Sequence, residues 1–111
     1  MRVLFDQGTP VPLRGHLASH SVDTVFERGW STLKNGELLV AAEFAAYEVF
    51  VTTDKNLRYQ QNLTGRRIAV VVLDTTSWPR LRQCVEDIAR AIEASAPGSY
   101  AEVSVDGPQQ A

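Results

Sequence analysis

Cysteine is almost missing: Cys84 is the sole one in 111 residues, so no intrachain disulfide can form and a reducing compartment suits the chain. Charge of one sign is scarce as well. Eleven basic and thirteen acidic residues leave a net charge of −2 at pH 7. No bulk basicity advertises nucleic acid, and any such binding has to come from a local patch. No apolar stretch approaches membrane-spanning length. Met1-Arg2 leads straight into a strand, which predicts no signal peptide and a cytoplasmic protein without a membrane partner. Internal repeats are absent too. What remains is ordinary globular composition, 44% hydrophobic and 22% charged, enough for one core. Residues 1–105 are expected to form a single domain and 106–111 a disordered tail.

The most informative stretch is Val49-Phe50-Val51-Thr52-Thr53-Asp54-Lys55-Asn56. A short apolar run between helical patterns reads as a strand buried on both faces of a parallel sheet. The opening Val3-Leu4-Phe5 ends in Asp6 in the same way. Open α/β sheets bind ligands just beyond the carboxyl ends of such strands. Two carboxylates therefore stand where chemistry is expected.

In chain order, residues 2–5 are the first strand. Gly8 follows in a loop where it is free to take positive φ, and Pro10 and Pro12 open a short helix through Leu17. Ser19 to Phe26 is a second strand, with Asp23 marking an edge position with one wet face. Glu27 to Lys34 is irregular. Asn35 is the expected N-cap of a helix to about Ala46, with Leu38, Leu39, Ala42 and Ala45 on one face. Lys55 to Leu63 reads as a short helix or helical turn, and Arg67 to Leu73 as the central strand. A last helix starts near Pro79, carries Leu81, Cys84, Val85, Ile88 and Ile92 at helical spacing, and stops at Pro97-Gly98. Tyr100 to Val105 is an edge strand. This alternation predicts an α/β sandwich with a mostly parallel sheet of four to five strands. A strand order of 2-1-3-4 makes the first and third strands neighbours, about 4.8 Å apart.

Clustered carboxylates repel unless a cation neutralises them, and Mg²⁺ is commonly held by one or two carboxylates and several waters. Glu37, in the first turn of its helix, is the expected third member. The plainer alternatives are that Asp6 and Asp54 cap their turns and that Glu37 serves the helix dipole. Asp74 ends the fourth strand as a fourth ligand or a loop cap. From Lys55 to Leu73 there are four basic residues, Lys55, Arg58, Arg66 and Arg67, and no acidic one. With Asn56 and Tyr59 among them, this is a candidate patch for phosphates and an unpaired base. His16 and His20 are expected at the surface, Cys84 in the core, and Trp30 and Trp78 as core or rim anchors.

The opening Val-Leu-Phe-Asp-Gln-Gly-Thr-Pro-Val-Pro-Leu-Arg, the Asn-Gly-Glu-Leu-Leu helix start and the Val-Thr-Thr-Asp-Lys-Asn-Leu stretch together resemble the small PIN-like domains. These are compact relatives of the PIN nuclease fold, often assigned as toxin components of prokaryotic toxin–antitoxin systems. The resemblance spans Arg2 to about Val105 and implies a PIN-like three-layer sandwich. It also implies a ribonuclease dependent on Mg²⁺ or Mn²⁺, with Asp6, Glu37 and Asp54 as metal-binding and catalytic residues. Lys55, Asn56, Arg58 and Tyr59 would bind RNA, and a cognate antitoxin-like protein would restrain the enzyme, with a homodimer left open. Gln7 departs from the pattern, since many relatives carry a carboxylate there, and Asp74 is the stand-in for a fourth acid of the larger nucleases. Two other classes fit the strand-end aspartates. A phospho-accepting receiver would need a lysine ending the fifth strand, which Tyr100 to Val105 lacks. A catalytically silent interaction module on the same fold is the other.

Overall fold

Strict alternation of buried side chains in three short strands determines the layers. β1 (Arg2–Phe5) sends Val3 and Phe5 to one face of the sheet and Leu4 to the other. β2 (Ser21–Thr24) follows a two-turn 3₁₀ segment, Val11–His16. α1 (Asn35–Phe44) leads to β3 (Val49–Thr52), which divides Val49 and Val51 from Phe50. After α2 (Leu57–Gln60), β4 (Ala69–Leu73) is buried throughout and divides its five residues in the same way. α3 (Trp78–Leu81), a 3₁₀ turn at Arg82–Cys84 and α4 (Val85–Glu93) precede β5 (Tyr100–Val103). The computed structural model describes residues 1–105 and, of Arg58, the backbone alone; the expected tail at 106–111 lies outside the described residues.

The five strands pair in the order β2-β1-β3-β4-β5, and every pairing is parallel. One face carries Leu13 from the 3₁₀ segment, Leu17 directly after it, and Leu81, Ile88 and Ile92 from α3 and α4. The opposite face carries Leu38, Leu39 and Ala42 from α1 and Leu57 from α2. This is the expected α/β sandwich of three layers, with the expected neighbours at β1 and β3. Among the described residues, no helix is long and apolar enough to cross a membrane.

Local departures from the expected elements have identifiable causes. β2 is four residues long because a clasp ends it: the Thr24 N–H donates to Glu27 Oε1, and the Glu27 N–H donates back to Thr24 Oγ1, both at 3.0 Å. Its edge position holds, and Asp23 accepts a hydrogen bond from the Tyr47 hydroxyl. Burial, and then this bond, push the Tyr47 hydroxyl above its ordinary pKa. α2 is a single turn, one of the two forms expected between Lys55 and Leu63, and it stops where Gln61 returns to extended backbone. The last helix is broken at Arg82–Cys84, yet Leu81, Ile88 and Ile92 all remain fully buried. Cys84 is only half-buried, and its thiol donates to the Leu81 carbonyl. Gly8 does not take positive φ. Its role is close approach, because a Cβ there would stand 2.5 Å from Thr53 Oγ1.

α1 ends in a strained residue. Ala46 has φ +66°, a left-handed position that glycine occupies without a Cβ penalty. Ala46→Gly is therefore expected to stabilise the fold by about 0.5–1 kcal/mol, read as a higher midpoint in urea; an unchanged or lower midpoint would show that chain entropy outweighs the strain.

Candidate active site

The carboxyl end of the β1–β3 pair is built around one hydroxyl. The ladder runs one bond past β1, with the Asp6 N–H donating to the Val51 carbonyl at 2.9 Å. That bond seats Asp6 against the end of β3. Thr52, fully buried, donates its Oγ1 proton to Asp6 Oδ2 at 2.8 Å and accepts the Asp54 N–H at 3.1 Å. Asp6 and Asp54 thus lie on adjacent strand ends and are linked through a single side chain. The remaining oxygens are held too. Asp6 Oδ1 accepts the Gln7 N–H, Asp54 Oδ1 accepts the Asn56 N–H, and Asp54 Oδ2 accepts from Asn35 Nδ2, at 2.9, 3.0 and 3.0 Å.

Asn35 was not expected here. As an N-cap its side chain would fold back on its own helix, but α1 begins one residue earlier in phase: Lys34 occupies the cap position and Asn35 is the first helical residue. Its amide is released to reach Asp54 and, at 3.4 Å, Gln60 Oε1.

These donors suit a hard cation. Each carboxylate oxygen accepts one neutral hydrogen bond and has a second lone pair, so the pair offers only oxygen donors with capacity in hand. Among the described residues, no ion pair neutralises Asp6 or Asp54. The acidic pair is organised by neutral hydrogen bonds.

Glu37 does not join them. Its Oε1 accepts the Lys34 N–H at 3.1 Å, closing the first turn of α1, and its side chain lines an apolar groove with Trp30, Leu33, Val40 and Phe44. Among the described residues, no three His, Cys, Asp or Glu side chains are grouped to hold a metal. Asp74 is committed elsewhere. It accepts from Ser104 Oγ at 2.9 Å and from the Val105 N–H at 3.1 Å, so it caps the end of β5.

The basic stretch is divided by the sheet. Lys55 and Asn56 are exposed and follow Asp54 directly at the carboxyl rim. Arg66 and Arg67 precede β4 and lie at the opposite, amino rim. A five-residue strand separates the two groups, roughly 16 Å of chain. Arg66 is also paired with Glu43 at 2.9 Å. A segment without acids in sequence therefore meets one in space. Tyr59 is exposed and lines a cleft with Leu63, Gly98 and Tyr100, a cleft to which neither Asp6 nor Asp54 contributes. The Arg58 side chain lies outside the described residues.

The histidines form no pair. His16 packs its ring on Trp78. His20 is not a surface residue: its side chain is 7% exposed, with Nδ1 3.2 Å from the Met1 amino group and Nε2 3.8 Å from Glu93. Trp30 anchors the rim as expected, edge-on to Tyr47 and under the Arg28 guanidinium.

Thr52→Val removes the shared hydroxyl while keeping the shape. It leaves the Asp54 N–H without its acceptor and Asp6 Oδ2 without its donor. We expect a loss of about 1–3 kcal/mol in denaturant melts, restored by Thr52→Ser. Equal stability of the valine variant would mean that water replaces the hydroxyl at no cost.

Fold and rim together define a class: a doubly wound, all-parallel α/β protein with a carboxylate pair at the β1–β3 switch point. No protein-family model, no curated protein and no solved structure matches the chain, so it is assigned to no family on that ground.

Proposed function

We propose that the chain is a divalent-metal-dependent endoribonuclease, a toxin held in check by a cognate antitoxin-like protein. The observation that carries this is the pair Asp6 and Asp54, joined through Thr52 at the switch point and left without a cationic partner among the described residues. When bound, Mg²⁺ or Mn²⁺ would supply Lewis acidity toward the phosphodiester and a more acidic water. The chain's own residues set the rest. Asp6 and Asp54 hold the cation, while Thr52 fixes Asp6 Oδ2 and Asn35 fixes Asp54 Oδ2. Lys55, exposed directly after Asp54, draws the substrate backbone to the rim by charge, with Asn56 and Arg58 next in the sequence as further substrate-binding residues.

Glu37 enters as a water-orienting group only if its carboxylate leaves the first turn of α1. Glu37→Gln decides this: if the side chain is a cap alone, stability and cleavage are both kept, because glutamine still accepts the Lys34 N–H, whereas a working carboxylate loses cleavage.

Incubating a mixed single-stranded RNA pool with the protein, Mg²⁺ or Mn²⁺, and a chelator control tests the proposal. Cleavage that requires the metal supports it, and intact RNA under every condition contradicts it. Neutralising Lys55 should lower the slope of log affinity against log salt by about 0.7, the value for one single-strand phosphate contact. An unchanged slope would make Lys55 a solvated side chain only.

One feature favours the silent interaction module as a second reading. The outer side of α1 exposes Val40 and Phe44, the latter 91% exposed, along a groove of about 690 Å³ floored by Trp30 and Leu33. A receiver is not favoured, since Ser104 and Val105 at the end of β5 clip Asp74 where a lysine is needed.

A further inference from the structure

A second cleft, of about 400 Å³, opens directly off Asp6 on the β2 side of the rim. This is within the range of small-ligand sites, roughly 300–1,000 Å³. Its walls include Val11 and Phe26, which are 50% and 76% exposed, and Gln7, which is also exposed. Phe26 is a large aromatic that the fold leaves to solvent, within a cleft that contains a candidate metal ligand.

The charge of this cleft points away from phosphate. Its one cation, Arg14, donates Nη1 and Nη2 to the two carboxylate oxygens of Glu27 at 3.0 and 3.1 Å and also bonds the Val22 carbonyl. Glu27 in turn accepts the Thr24 N–H. The guanidinium is thereby neutralised and fixed, so beside the Asp6 carboxylate the cleft is lined by an aromatic ring at Phe26, the apolar Val11 and the neutral amide of Gln7. Those are the features of a site for a nucleobase: a ring to stack on and a donor–acceptor group for its edge. Lys55 follows the end of β3, on the side of β1 away from this cleft.

We infer that the Phe26 cleft is a base-binding subsite that takes one unstacked base of a single-stranded RNA, next to the phosphate held at Asp6 and Asp54. The inference rests on the hydrolase proposal for the position of the phosphate. It moves the aromatic contact from Tyr59, in its separate cleft, to Phe26. It also makes the site selective for single strands, because a paired base cannot enter without leaving its helix.

The test is fluorescence anisotropy of a mixed-sequence, ten-nucleotide single-stranded RNA on the full chain carrying Asp54→Asn, so that turnover does not disturb binding. Phe26→Ala in that background is expected to weaken binding by roughly 5- to 150-fold, the range for one base–aromatic stack, with the salt slope unchanged. Phe26→Trp should bind as well as phenylalanine, and Phe26→Leu should behave like alanine, which separates stacking from apolar contact. The same sequence as a duplex should bind more weakly than the single strand. Affinity unchanged by Phe26→Ala, or kept by Phe26→Leu, overturns the subsite. So does a change from dimer to monomer in sedimentation with RNA affinity unaltered, which would make Phe26 a contact between copies. A wild-type protein that binds RNA through Phe26 without cleaving it overturns the hydrolase and keeps the subsite. One that cleaves RNA indifferently to Phe26 does the reverse.

Discussion

Asp54→Asn should reduce metal-dependent RNA cleavage by at least about a hundredfold while the protein stays folded. The loss follows from the site: a cation on two carboxylates loses half of its anionic ligation, and the several kcal/mol that a metal contributes to phosphodiester chemistry fall with it. The stability side is a near balance. Replacing one carboxylate relieves repulsion with Asp6. Against this, Asp54 Oδ2 accepts from Asn35 Nδ2, and an asparagine can offer only one oxygen to the two donors now served by both. We therefore expect a stability change within about 1 kcal/mol, smaller than the gain that repulsion alone would give. Paired cleavage assays and thermal melts check both parts. Wild-type cleavage by the variant would reduce Asp54 to a turn cap.

Glu43→Ala should be the most destabilising single change among the polar residues described here, by about 2–4 kcal/mol. Glu43 sits near the end of α1 and holds the chain as it enters β4. Its Oε1 accepts from Arg66 Nη1 at 2.9 Å, and its Oε2 accepts the N–H groups of Arg67 and Ile68 at 2.7 and 3.2 Å. Both charged side chains are largely shielded, at 14% and 21% exposure, so alanine would strand a guanidinium and two backbone donors together. For a chain of this size that is a fall in melting temperature of roughly 10–25 °C. Glu43→Gln, which keeps one oxygen, should fall between. Burial raises the Glu43 pKa, but the Arg67 and Ile68 N–H groups and the Arg66 charge outweigh it, so the net shift is downward. A depressed folded pKa gives stability that is fully present above the unfolded carboxylate's range and lost as pH falls through the folded value. The gap between wild type and Glu43→Ala should accordingly be full above about pH 5 and shrink in stronger acid. A constant gap from pH 7 to pH 3 would contradict the charge-based account.

The sandwich and the position of its rim were legible because they depend on short-range pattern. Val49–Val51 and Ala69–Leu73 are apolar runs too short for helices, and a parallel sheet of such strands brings the ends of β1 and β3 together. Asp6 and Asp54 were found by that rule alone. The rest of the site depends on contacts between distant segments, which local windows do not contain. Asn35 reaches Asp54 across 19 positions, and a one-residue change in helix phase converts a cap into a site residue. Arg66 and Arg67 looked continuous with Lys55, yet a parallel strand carries the chain from one rim to the other, and Glu43 arrives from 23 residues away. Glu37 is at the expected end of α1 but spends its Oε1 on the Lys34 N–H. Phe26 carried no signal of its own, because the strand expected over Ser19 to Phe26 marks it only as the last residue of an edge strand, whereas β2 ends at Thr24. Its meaning comes from Asp6 beside it.

Calorimetric titration of Mn²⁺ into wild type, Asp6→Asn and Asp54→Asn measures the central claim without reference to RNA. One ion per wild-type chain is expected, with an affinity at least about tenfold weaker in each variant. Identical titrations for all three proteins, or no binding by the wild type at millimolar Mn²⁺, would contradict it.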